Sequence, residues 1–226
     1  LDGNKLVRLP DAFVQGSLSI SLKTLSLKKN GLGSKEITKL ASFINLENLY
    51  LDDNAIQEIP NNYCKEIAEL DTLSLNDNHI LSIGPDTFGK LRLKELHLAR
   101  NGIQTIHEDA LSKMYYLNTL DLSHNQLSTL TLPSNMPRLR QLDLSHNALT
   151  TFPANLDRFP KIDILDLSNN LLTSLPSITI YSTDNRIDML DFSNNRLTEI
   201  FTTFEGRIDK LRLAGNSLSH IPISAF

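Results

Sequence analysis

The sequence predicts an α/β solenoid. It is a horseshoe with a parallel β-sheet on its concave side, a mostly irregular and extended convex side, and one short helix near residues 34–44. Three observations carry this expectation. One eleven-residue pattern recurs along the chain, apolar residues inside it alternate with the period of a strand, and the stretches between copies are marked by proline.

The copies read LKTLSLKKNGL from Leu22, LENLYLDDNAI from Leu46, LDTLSLNDNHI from Leu70, LKELHLARNGI from Leu93, LNTLDLSHNQL from Leu117 and LRQLDLSHNAL from Leu139. The last three are IDILDLSNNLL from Ile162, IDMLDFSNNRL from Ile187 and IDKLRLAGNSL from Ile208, and a partial copy, LDGNKL, opens the chain. The full copies place asparagine at Asn30, Asn54, Asn78, Asn101, Asn125, Asn147, Asn170, Asn195 and Asn216. Nothing marks a boundary between them, so residues 1–226 are expected to form a single domain.

Each position has a physical task. In LxxLxL, residues such as Leu25 and Leu27 alternate inward, as in a strand with one buried face. Stacked strands then bury one another's leucines. Where the chain leaves the strand, asparagine offers both an amide donor and a carbonyl acceptor, so a column of asparagines is expected to be buried and to satisfy the backbone from rung to rung. Pro10, Pro60, Pro153, Pro176 and Pro222 lie six residues past an asparagine and suit an extended outer arc. Ten residues past it an apolar column recurs: Val14, Leu40, Phe88, Leu111, Ile180 and Phe226. In the second interval Ile37, Leu40, Ala41 and Ile44 fall at helical spacing behind Ser34, which is expected as the N-cap. SITIYSTDN, in the interval from Asn170 to Asn195, reads as a looser convex excursion.

This pattern resembles the leucine-rich repeat family over essentially the whole chain. The phrases IGPDTFGKL and LDLSHNQL are similar to its typical extracellular subclass, as in Toll receptors and chaoptin-like cell-surface proteins. The resemblance implies a non-catalytic module of a receptor or adhesion ectodomain that binds a protein on its concave face, outside the cell or at its surface. The alternative is a cytoplasmic scaffold or regulatory domain of a longer signalling protein or enzyme. Extracellular members usually carry cysteine-rich caps, and this sequence has none. Leu1 and Phe226 fall inside repeats, so the expectation is a piece of a longer chain whose uncapped ends allow homo-association.

Composition removes other classes. Hydrophobic residues are 40% and charged residues 21%, which does not fit a disordered or collagen-like chain. No apolar run is long enough to cross a membrane, so membrane insertion by this segment is not expected. The net charge of −4 is evenly spread, without the concentrated basic stripe that nucleic acid requires.

Candidate chemistry is sparse. The single cysteine, Cys64, falls in the same column as Phe88 and is expected as a buried thiol rather than a reactive one. His124 and His146 precede column asparagines on adjacent rungs, but zinc wants three or four converging ligands, and no metal or cofactor is expected. Phosphate-cradling glycine loops, GxSxG, HExxH and paired CxxC are all missing.

Function must therefore lie on the outward strand positions. The central column reads Ser26, Tyr50, Ser74, His97, Asp121, Asp143, Asp166, Asp191 and Arg212. Four stacked aspartates at strand spacing repel one another unless something holds them. Beside the last two stand Ile164 and Met189, apolar residues pointing where water is expected, flanked by Asp163 and Asp188. An apolar centre with an acidic rim is the composition of a recognition patch, and it fits a protein with a basic, partly apolar surface. Tyr50 and His97 are further candidates on the same column.

Overall fold

The computed structural model describes residues 1–61, 63, 67–89, 91–156, 162–175, 186–200 and 207–221. Nine short strands form one parallel sheet in chain order, one per full motif: Thr24–Ser26, Asn48–Tyr50, Thr72–Ser74, Glu95–His97, Thr119–Asp121, Gln141–Asp143, Ile164–Asp166, Met189–Asp191 and Leu211–Arg212. The motif fixes the register. Leu25, Leu49, Leu73, Leu96, Leu120, Leu142, Leu165, Leu190 and Leu211 pair in unbroken succession. A one-residue slip would turn this leucine column into water, and each buried leucine is worth roughly 1.5–3 kcal/mol. From Leu25 to Leu190 the column is buried, and only Leu211, on the last rung, is half-buried.

The asparagines close the backbone between rungs. Asn54 accepts the Leu32 N–H at 3.0 Å, and its amide donates to the carbonyls of Leu27 and Leu51, both at 3.0 Å. The same bonds repeat at Asn78, Asn101, Asn125, Asn147, Asn170, Asn195 and Asn216. Each side chain thus satisfies groups on two rungs that the bend strands indoors. Burial is less uniform than expected. Asn54, Asn78, Asn125, Asn170 and Asn195 are buried, whereas Asn30, Asn101, Asn147 and Asn216 are half-buried.

The residue before each column asparagine takes a left-handed conformation, a feature the repeat pattern alone did not announce. Lys29, Asp53, Asp77, Arg100, His124, His146, Asn169 and Asn194 have φ between 49° and 56°, and Gly215 has 69°. Asn, Asp, His and Gly tolerate this region best, which accounts for most of the residue types found there.

The apolar column behind the sheet holds Val14, Leu40, Phe88 and Leu111, all buried. Its remaining members, Ile180 and Phe226, lie outside the described residues, as do Cys64, Pro176, Pro222 and the whole SITIYSTDN stretch. The helix expected near 34–44 is one α-helical turn, Ser34–Ile37, continued as a 3-10 segment, Thr38–Ser42. Gly33 is its N-cap, not Ser34. The Ser34 hydroxyl instead accepts the N–H groups of Gln57 and Glu58 on the next rung, both at 3.0 Å. Ile44, expected on the apolar face, is 47% exposed because the helix ends before it. A second helix, Asp11–Gln15, was not anticipated. It begins after Pro10, carries an acidic residue in its first turn and buries Val14. Short parallel pairings also join Ser82–Ile83 to Thr105–Ile106 and Arg186–Ile187 to Arg207–Ile208.

Candidate functional site

Alternation along each strand fixes which residues reach the outer face of the sheet. In Ile164–Asp166 and in Met189–Asp191 the central leucine is buried, while Ile164, Asp166 and Met189 remain half-exposed on the other side. Ile164 and Met189 are direct register partners. Tyr50, Ser74, His97, Asp121, Asp143, Asp166, Asp191 and Arg212 form one continuous column, each aligned with the next.

The aspartate ladder is held by the residue two positions on. Oδ1 of Asp121, Asp143, Asp166 and Asp191 accepts the N–H of Ser123, Ser145, Ser168 and Ser193, at 2.9–3.0 Å. The Ser123 hydroxyl also donates to Asp121, at 2.7 Å. The common LDLS spelling is thus a local turn in which each serine amide binds its own aspartate.

The four carboxylates are not equivalent. Asp143, in the middle, has its pKa raised. Partial burial is the main cause, opposed by the Ser145 hydrogen bonds and reinforced by the neighbouring charges of Asp121 and Asp166. Asp191, at the end, has its pKa lowered. Burial pushes it up, but the hydroxyl and amide of Ser193 together with Arg212 outweigh that push. Arg212 donates to Asp191 at 3.1 Å.

The aspartates of the acidic rim expected from sequence differ in how far they are engaged within the chain. Asp191 is only 4% exposed and accepts hydrogen bonds from Arg212 and Ser193. Asp163 is neutralised by Arg140 at 3.0 Å, and Asp188 by Arg186 at 3.3 Å. Among the described residues no cation forms an ion pair with Asp121, Asp143 or Asp166. The neutralising arginines were visible in the sequence, since Arg140 and Arg212 each stand one rung from the aspartate they bind, but the pairing follows only once the rungs are aligned.

Tyr50 and His97 occupy the earlier part of the column. Lys28 Nζ lies 4.6 Å from the Tyr50 ring centroid and 3.0 Å from Asp52, so that end is internally compensated. His97 Nε2 lies 3.6 Å from Glu95. Elsewhere, His124 and His146 stack with centroids 4.1 Å apart and planes 9° from parallel. Parallel rings direct their in-plane lone pairs side by side rather than toward one point. Among the described residues no group of three His, Cys, Asp or Glu could hold a metal ion.

Comparison with known proteins matches the leucine rich repeat model at residues 44–93, 91–149 and 131–172. The chain is 34% identical over 135 residues to fibromodulin of Oryctolagus cuniculus, covering 60% of this chain and 86% of that protein. It is 30% identical over 134 residues to PH domain leucine-rich repeat protein phosphatase 1 of Rattus norvegicus and 32% identical over 133 residues to Toll-like receptor 7 of Mus musculus. Those matches cover 59% and 55% of this chain but only 8% and 12% of the relatives. Among solved structures, a chain of the octameric complex of Latrophilin 3, Unc5D and FLRT2 (LRR) superposes with a TM-score of 0.68 at 25% identity, over 87% of this chain and 60% of that one. The plant peptide hormone receptor RGFR1, solved with RGF2, shares the fold with a TM-score of 0.64 at 21% identity, over 90% of this chain and 42% of that one. Since the family model spans more than half of the residues, and the repeats it matches are the rungs of the sheet, the chain belongs to the leucine-rich repeat family.

Proposed function

We propose that this chain is a non-catalytic protein-recognition module of a cell-surface receptor or adhesion ectodomain, and that it holds a protein partner on the outer face of the sheet at Ile164, Met189, Asp143 and Asp166, with Asp121 at the margin. The observation that carries this reading is the alignment of Ile164 with Met189 beside aspartates that no cation pairs with among the described residues. Apolar contact supplies affinity, roughly 1.5–3 kcal/mol for a fully buried side chain and about half that for these half-buried ones. The aspartates select a basic surface and speed encounter. The surface-receptor placement is supported by similarity to Toll-like receptor 7 and to the FLRT2 complex.

Binding kinetics against a partner captured by pull-down test the site. Ile164→Ala with Met189→Ala is expected to raise the dissociation rate. Asp143→Asn with Asp166→Asn is expected to lower the association rate and flatten its dependence on salt. Unchanged kinetics in both double variants would remove the site. A second reading, a regulatory domain of an intracellular enzyme, is favoured by the match to the phosphatase. Sequence beyond either end decides between them: a membrane helix and cysteine caps support the first, a catalytic domain the second.

A further inference from the structure

We propose that the edge by which the chain enters the sheet carries a second recognition site of opposite charge, in which Arg92, Tyr116 and Arg138 take the carboxylates of a short acidic segment of a protein partner. These residues immediately precede the first leucine of three successive motifs. Backbone bonds from Asn118 N to Lys94 O and from Arg140 N to Asn118 O align their rungs. The guanidinium carbons of Arg92 and Arg138 each lie 4.9 Å from the Tyr116 ring centroid, one reaching in from each neighbouring rung. The tyrosine is half-buried and both arginines are exposed.

At the positions immediately before and after the first residue of each motif, the other described cations are each engaged by carboxylates: Lys23 by Glu47, Lys94 by Asp71, Arg140 by Asp163, Arg186 and Arg207 by Asp209. Arg92 and Arg138 have no carboxylate partner among the described residues and rest on an aromatic ring instead. Arg92 Nη2 also donates a long hydrogen bond to the Tyr116 hydroxyl at 3.5 Å, and the remaining N–H groups of the two forks match a carboxylate in bidentate fashion. It also restrains two long side chains before binding, so less rotamer freedom is lost when the partner arrives.

The extent of the site identifies the ligand class. Two carbons held 4.9 Å from one centroid are separated by no more than twice that distance, and exposed Glu69 bounds the positive stretch one rung before Arg92. A long polyanion needs a continuous basic track, and the chain's net charge of −4 opposes it. A few side-chain carboxylates on an extended peptide fit the interval.

The test is titration of the 226-residue chain with a synthetic octaglutamate peptide, with octalysine as control. Binding of octaglutamate is expected to weaken at least tenfold in Arg92→Gln with Arg138→Gln, and severalfold in Tyr116→Leu. Tyr116→Phe, which keeps the ring and loses only the long hydrogen bond from Arg92, and Lys94→Gln, a paired cation of the same edge, are expected to stay within twofold of wild type. All four positions lie at the surface, and equal melting temperatures verify folding. Absent binding, or binding indifferent to the double substitution, overturns the proposal. So does tighter binding of a sulfated polysaccharide or single-stranded DNA with the same arginine dependence, which would make the edge a general polyanion site. The sheet-face variants Ile164→Ala and Met189→Ala are expected to leave octaglutamate binding unchanged, so the two sites fail or stand separately.

Discussion

At the scale of single residues, the ladder asparagines and their left-handed neighbours do most of the structural work that leucines cannot. Asn125 is buried and closes bonds to Ile103, Leu98 and Leu122, whereas Asn101 makes the equivalent bonds half-exposed. Orphaned buried groups cost about 1–3 kcal/mol, and water can replace part of a half-exposed bond. Chemical denaturation is therefore expected to show Asn125→Ala losing about 1–3 kcal/mol and Asn101→Ala clearly less; equal losses would mean that burial does not set the cost. The conformation of His146, with φ 54°, makes a second prediction. His146→Val is expected to lose about 1–2 kcal/mol, because a β-branched side chain is poorly accommodated there, while His146→Asn stays near wild type.

At the scale of elements, identical spelling gives opposite electrostatics. Asp143 and Asp191 occupy equivalent places in LDLS and LDFS turns two rungs apart, yet their carboxyl groups are displaced in opposite directions. The folded pKa of Asp143 is raised, so the folded state holds its proton more tightly than the unfolded state, and stability falls as pH rises through that pKa. Asp143→Asn is expected to raise the melting temperature at pH 7, by the equivalent of about 0.2–1 kcal/mol, because it relieves first the cost of a partly buried charge and then the cross-strand repulsion, with the gain vanishing below the ordinary aspartate range. For Asp191 the folded pKa is lowered, so its contribution is present above the unfolded value and is lost as pH falls through the folded one. Asp191→Asn is expected to cost about 1.5–3 kcal/mol at pH 7 and little in acid. Melting curves of both variants from pH 3 to 7 check the pair. The helix at Ser34–Ile37 teaches a related lesson. A serine at the expected cap position donates nothing to its own helix, and its oxygen serves the next rung instead, so Ser34→Ala is expected to loosen the contact between rungs by about 0.5–1.5 kcal/mol.

At the scale of the whole molecule, a stack in which each rung touches only its neighbours distributes stability as a sum of local terms. Leu120, fully buried mid-sheet, and Leu211, half-buried on the last rung, hold equivalent motif positions. Leu120→Ala is expected to cost about 2–5 kcal/mol and Leu211→Ala substantially less, since the latter leaves a smaller cavity. Native-state hydrogen exchange is expected to protect Leu96, Leu120 and Leu142 most strongly and to fall off toward the terminal rungs. Uniform protection would contradict a stack of nearest-neighbour terms.

The sequence by itself determined the period, the nine strands, their parallel order and the leucine and asparagine columns, because each is written once per rung in residue types with a single physical use. It also placed Ile164, Met189 and the aspartates on one face, since strand alternation is a local rule. What only the tertiary structure decided lies between rungs. Asp191 is consumed by Arg212 and Asp163 by Arg140, Ser34 serves Gln57 and Glu58, and Tyr116 joins Arg92 to Arg138. These partners stand about twenty or more residues apart in sequence and one strand spacing apart in space. Long, multi-rotamer side chains find one another only after the backbone has stacked, so their charges are free or spent according to packing that no repeat pattern encodes.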